Sequence, residues 1–246
     1  VEEAKGIGHV PEILYHWRTH KASTADNPAS KMYAFEAGRR AIEAHLKRVG
    51  EQGTVTHTPD LGFFRVQYPV QGEPLVSIII PNKDETESLR ACIESIRKKT
   101  VYPNYEIIIV ENNSVEKETF VYYETLKNRY PNVRILTWKK EFNYSAINNF
   151  AAKQSEGEYL IFLNNDTEIL TEDWMEEMLS VCQQPDVGVV GSKLYYPDGT
   201  IQHAGVILGL SNIAGHLFVK EPGDISGYMG RACTMQNLSA VTAACM

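Results

Sequence analysis

The 246-residue sequence has no run of roughly 18 apolar residues, the length a membrane-crossing helix needs, so no transmembrane segment is expected. It has no stripe of Lys and Arg. With 24 basic against 31 acidic residues the formal net charge is −7, which argues against nucleic acid as a partner. Cysteine is sparse. Cys92, Cys182, Cys233 and Cys245 lie far apart and in no C-x-x-C spacing, so they read as reduced, mostly buried thiols instead of a disulfide or zinc framework. No glycine-rich phosphate cradle follows any predicted strand, which removes both the P-loop and the dinucleotide fingerprint. Internal repeats, low-complexity tracts and a signal peptide are also missing. The chain starts at Val1 and stops in "SAVTAACM", which has the look of a strand, so the sequence reads as a fragment of a longer protein.

What is present falls into two parts. Residues 1–57 hold five of the seven histidines and one helical pattern, "SKMYAFEAGRRAIEAHLKRVG", with Asn27-Pro28 before it and Gly50 as its stop. Residues 58–73 read as a linker, within a Pro- and Gly-punctuated stretch (54–74) that leaves room for one short strand. From residue 74 onward, apolar runs alternate with helical patterns. The runs are "LVSIII" (75–80), "YEIIIV" (105–110), "VRILTW" (133–138) and "EYLIFL" (158–163). The helical segments are 87–100, 117–130, 144–157 with Gly157 as its stop, and 172–184. Runs apolar throughout belong to strands covered on both faces, and this alternation predicts right-handed βαβ units and a parallel sheet. Past residue 187 the pattern loosens into short β segments around Pro197-Asp198-Gly199.

In an open parallel sheet, ligands bind beyond the carboxyl ends of the strands. Three of these ends carry carboxylates and amides: "PNKDE" (81–85), "ENNS" (111–114) and "NNDTE" (164–168). Without a glycine-rich cradle, a nucleotide here must be held by side chains, and its diphosphate needs a cation. Mg²⁺ is commonly held by one carboxylate, diphosphate oxygens and water.

"VSIIIPNKDETESLRACIESI", "YPNYEIIIVENNS" and "GEYLIFLNNDTEIL", in that order at those strand ends, resemble a family 2 glycosyltransferase, with the narrower likeness of "NNDTE" and "GTIQHAGV" pointing to its bacterial rhamnosyltransferase-like branch. The resemblance implies the GT-A fold over residues 74–246: an α/β/α sandwich around a mostly parallel sheet. It implies inverting transfer of a sugar from a UDP- or dTDP-sugar to a saccharide or lipid-linked saccharide acceptor, in bacterial surface polysaccharide synthesis. Such an enzyme would sit in the cytoplasm, with peripheral association at the inner face of the membrane. Residues 1–50, with "HVPEILYHWRTHKAST", resemble the tail of a preceding glycosyltransferase domain.

The resemblance also assigns residues. Pro81, Asn82, Lys83 and Asp84 form the nucleotide-binding turn, with Lys83 where the family usually has an aromatic against the base. Glu111 and Asn112 stand where an acid pair usually recognises a uracil-type base. Asn148-Asn149 replaces an Arg-Asn pair, and Asn164-Asn165-Asp166 replaces the DxD motif. Asp166 is the implied ligand of Mg²⁺ or Mn²⁺, while Asn164 and Asn165 are left for nucleotide contacts. The general base that deprotonates the acceptor is expected beyond Met246.

Plainer roles stand beside these. Asp84 and Glu87 suit a helix N-terminus, 112–114 suits a capping turn, and Asp166 suits a cap of the following helix. His203 is either a packed core histidine or faces the sugar. His16 and His20, four apart, make a poor metal pair without a third ligand. "GDISGYMGR" (223–231) reads as a surface loop or a lid over the donor. Two rivals remain: a nucleotide- or carbohydrate-binding module without catalysis, and a nucleotidyltransferase of the same general fold.

Overall fold

Alternation along the strands sorts the core into two layers. The computed structural model describes residues 4–20, 23, 26–27, 31–210 and 213–246. Strands β3 (Val76–Asn82), β4 (Tyr105–Glu111), β5 (Val133–Thr137) and β6 (Tyr159–Phe162) form one sheet. Their spatial order is β5-β4-β3-β6, and every neighbouring pair is parallel. Ile78 and Ile80 of β3, with Ile107 and Ile109 of β4, point to one face. There they meet Leu89, Ile93 and Ile96 of α2 (Thr86–Lys99), Tyr122 and Leu126 of α3 (Lys117–Arg129), and Met175 and Leu179 of α5 (Trp174–Cys182). Ile79, Ile108 and Val110 point the other way, against Ile147 and Ala151 of α4 (Tyr144–Ala152). Each fully buried isoleucine contributes about 1.5–3 kcal/mol. Burial on both faces is why these strands read as unbroken apolar runs.

The polar foot of the α4 layer is closed by Glu106. It accepts hydrogen bonds from Ser77 Oγ, the Glu156 amide and Arg134. Burial pushes this carboxyl up, but those three donors more than offset it and hold the group below the usual carboxylate range.

Two expectations change here, and one holds. Gly157 does not stop α4, which ends at Ala152. Its amide donates to Ser77 Oγ, and an added Cβ would lie 2.6 Å from Ser77 N and 2.9 Å from Leu75 O, so glycine permits the close approach that leads the chain into β6. The stretch with room for one short strand holds an antiparallel hairpin, β1 (Thr54–His57) and β2 (Phe64–Gln67). Val55 is the buried position of β1, and Arg65 pairs with Asp173 and Glu177, so the hairpin is pinned to the start of α5. Helix α1 (Met32–Val49) ends on Gly50 as expected, in the left-handed region at φ 78°, while Pro28 lies outside the described residues.

Residues 244–246 lie antiparallel beside β6. Phe162 and Met246 exchange both backbone hydrogen bonds, and Asn164 N–H donates to Ala244 O. The sheet is therefore mostly parallel, with an antiparallel margin. Two small antiparallel pairs complete the later part of the chain: β7 (Leu194–Tyr195) with β8 (Ile201–His203), and β9 (Val206–Leu208) with β10 (Ala214–His216). Among the described residues no helix is long and apolar enough to cross a membrane.

Candidate functional site

The carboxyl ends of β3, β4 and β6 open on one cavity of about 600 Å³. Its wall includes Pro81, Asn82 and Lys83 after β3, Asn112 after β4, and Asn164, Asn165 and Asp166 after β6. Seven of the nine residues singled out in the sequence thus come together. The other two, Asp84 and Glu111, do not line it.

Glu111 ends β4 but turns inward and is 5% exposed. Its carboxylate accepts from the Ser114 amide and hydroxyl and from the Tyr123 hydroxyl. Burial raises the Tyr123 pKa, so that phenol stays protonated and keeps donating. Asp84 accepts from the amides of Val115 and Glu116, at 2.8 and 2.9 Å, and so ties the turn after β3 to the start of α3. Both Asp84 and Glu85 sit at positive φ, 51° and 49°, in a conformation this bonding pattern sustains. Among the plainer roles, Glu87 does lie in the first turn of α2, whereas Asp84 serves the neighbouring loop.

Asn82 is the hub of the cavity floor. Its Nδ2 donates to Asp84 O and Tyr123 Oη, and its Oδ1 accepts from Asn165 Nδ2 at 2.6 Å. The tips of β3 and β6 are therefore locked together. Asn112 uses its amide hydrogens on Trp138 O and Lys140 O, both at 3.0 Å, and Asn113 donates to Lys140 O as well. These two amides hold the loop that leads into α4.

Asp166 is different. It is exposed on the cavity wall and has no hydrogen-bond or ion-pair partner among the described residues. It is no helix cap, because α5 starts only at Trp174 behind Asp173. Lys83, also exposed, is equally uncommitted among the described residues. Among the described residues Asp166 is the only acidic one lining the cavity, and no cluster of three His, Cys, Asp or Glu exists. The donor set therefore fits a cation held by one carboxylate and by the oxygens of a bound ligand, and does not fit an all-protein metal cage. The buried Cys92 thiol nearby is pushed up to about 12 by burial, with the Asp166 charge adding to the effect, so it is a neutral packing group.

The remaining wall comes from Phe142, Tyr144, Thr242, Ala243 and Ala244, which the sequence reading missed. Tyr144 donates its hydroxyl to Ala243 O, clasping α4 to the C-terminal margin. Aromatics flanking the α4 cap, Asn143, were a usable signal, since its Oδ1 accepts from Ala146 N. Residues 242–244 carried none, because they reach the site only by pairing with β6. Asn148 sits on α4 behind the cavity and donates to Tyr144 O.

His203, 2% exposed, is a packed histidine behind this wall. Its Nε2 accepts from Thr242 N–H, which puts its proton on Nδ1, 3.1 Å from His216 Nδ1. Burial, with His216 adding to it, lowers its pKa to about 4. No residue of 223–231 lines the cavity.

The glycosyl transferase family 2 profile matches residues 77–235. The chain belongs to glycosyl transferase family 2. The family 2 match spans β3 to β10 and every strand tip described above, and the α/β fold with its parallel central sheet is the GT-A class expected of it. Two relatives cover the chain almost end to end. An uncharacterised protein of Sinorhizobium fredii is 47% identical over 98% of this chain and 26% of its own length. The O-antigen biosynthesis protein RfbC of Myxococcus xanthus is 45% identical over 100% of this chain and 19% of its own length. The chain thus spans about a quarter of the first of these curated relatives and about a fifth of the second. Among solved structures, a Pyrobaculum calidifontis mannosyltransferase in complex with GDP-Man and Mn²⁺ is 17% identical over 68% of this chain and 46% of that one, with a TM-score of 0.46.

Proposed function

We propose that this chain is the donor-binding part of an inverting glycosyltransferase that takes a UDP- or dTDP-sugar and serves bacterial surface polysaccharide synthesis, with a saccharide or lipid-linked saccharide as acceptor. The observation that carries the reading is the uncommitted Asp166 carboxylate facing the cavity where β3, β4 and β6 end. A family 2 relative named for O-antigen biosynthesis supports the biological setting. In this reading Asp166 would hold Mg²⁺ or Mn²⁺, which would supply charge neutralisation for the departing nucleoside diphosphate.

The chain's own residues do the rest. Asn82 and Asn165 hold the β3 and β6 tips at a fixed separation, so that Asp166 is presented without reorganisation. Lys83 reaches the diphosphate as a mobile point charge. Asn164, whose amide N–H is spent on Ala244 O, keeps its side chain for the ribose or for cation-bound water. The acceptor hydroxyl needs a base, and apart from Asp166 no acid among the described residues lines the cavity, so we place that base beyond Met246.

Calorimetry of UDP and dTDP, with Mn²⁺ and with chelator, tests the reading. Metal-dependent binding that disappears in Asp166→Ala is expected. Binding indifferent to both chelator and that substitution would overturn the metal assignment. Tighter binding of nucleoside triphosphates than of diphosphates would instead favour a nucleotidyltransferase.

A further inference from the structure

Phe142 is the most exposed large aromatic lining the cavity, at 64% of its side chain and backbone surface. It belongs to neither core cluster, and none of the aromatic ring pairs among the described residues includes it. Leaving most of a phenyl ring in water forgoes the favourable burial of its apolar surface. The surrounding loop is nevertheless held firmly. Asn112 and Asn113 together donate three hydrogen bonds to Trp138 O and Lys140 O. Trp138 Nε1 donates to Glu141 O, and its ring packs on Phe150 at 5.3 Å. Asn143, the residue after Phe142, caps α4. A largely exposed ring outside both core clusters thus stands on a well-bonded loop.

Its place along the sheet edge matters. The loop that carries Phe142 is tied to the β4 tip through Asn112, whereas Asp166 follows β6, and β3 lies between. Two strand spacings amount to about 10 Å, which suits a nucleoside diphosphate with its base at the β4 tip and its phosphates at Asp166. Lys83, exposed on the cavity wall after β3, offers no ring of its own.

We propose that Phe142 is the platform on which the base of the nucleoside diphosphate stacks, and that Asn112 and Asn113 act by positioning its loop. This rests on the donor reading above. Stacking on an aromatic face contributes about 1–3 kcal/mol per base and tolerates either uracil or thymine. Recognition by this cavity is then of a base's face, with little discrimination between UDP and dTDP.

The test is calorimetry of UDP and of inorganic pyrophosphate, both with Mn²⁺, on the 246-residue chain and on Phe142→Ala, Phe142→Leu and Phe142→Tyr. Because the ring is exposed, all three variants should keep the parental melting temperature. Phe142→Ala is expected to weaken UDP by roughly 5- to 150-fold and to leave pyrophosphate unchanged. Leucine should stay weak, and tyrosine should return UDP binding to near the parental value. If UDP binding is unchanged in Phe142→Ala yet lost in Asp166→Ala, the platform is wrong and the donor reading stands. Equal losses for UDP and pyrophosphate, or rescue by leucine as good as by tyrosine, would also overturn it. A chain that binds no nucleoside diphosphate at all overturns both readings.

Discussion

The tips of β4 and β6 carry similar residues and do opposite work. At the β4 tip, Glu111 and Asn112 are buried and every polar contact recorded for them goes to the protein: Ser114 and Tyr123 for the acid, Trp138 and Lys140 for the amide. At the β6 tip, Asn165 is tied to Asn82, but Asp166 stands open on the cavity with no partner among the described residues. A buried carboxylate must be satisfied internally, because an unpaired one costs several kcal/mol. An exposed one is solvated and remains free for a ligand. The difference teaches that a carboxylate at a strand end serves either as scaffold or as ligand, and that burial decides which.

The sharpest break of this comparison is Asp166→Ala. It should weaken metal-dependent UDP binding by about 100-fold, equivalent to about 2.7 kcal/mol, with no change in melting temperature. The mirror experiment is Glu111→Ala. It strands the Ser114 amide and the Tyr123 hydroxyl, so it should cost about 2–3 kcal/mol of stability by denaturant titration. Any loss of UDP binding there should follow the unfolded fraction. If Glu111→Ala proved neutral in stability yet abolished UDP binding, the assignment of the two tips would be reversed.

A smaller effect comes from the wall beside β6. His203 is held neutral, with its pKa lowered from 6.5 to about 4. The unfolded chain takes up that proton at higher pH than the folded one. Stability is therefore retained above pH 6.5 and falls as the pH drops from there toward 4, by at most about 1.4 kcal/mol per pH unit. Chemical denaturation at several pH values should show this slope, and His203→Gln should flatten it. Smallest of all, Lys83→Ala should weaken UDP by roughly threefold to tenfold and reduce the salt dependence of binding, since an exposed point charge is screened.

Much of the fold was legible because its cause is local. Unbroken apolar runs such as Ile78-Ile79-Ile80 have to be covered on both faces, and four of them separated by helical patterns lead to a parallel sheet. Seven of the nine residues picked from the strand ends line the cavity for the same reason: carboxyl ends of parallel strands converge on one edge. The hairpin β1–β2 escaped because its strands are four residues long, and most of their positions are not fully buried. Gly157 misled because a glycine after a helical pattern signals a stop, while its real constraint is a backbone neighbour eighty positions earlier, Ser77. Phe142 and residues 242–244 were not singled out, because position on a loop or an edge says nothing of what lies opposite.

The amino-acid sequence by itself determined the strand–helix alternation, the sheet class and the polar strand tips, since all three follow from periodicity within a few residues. Only the tertiary structure decided which tip groups are free. Glu111 is spent on Tyr123, twelve positions away, and Asn112 on Lys140, twenty-eight away, while Asp166 meets no such partner among the described residues. Hydrogen-bond satisfaction of a buried polar group depends on neighbours that folding brings together, and it is this non-local accounting that leaves Asp166 available at the cavity.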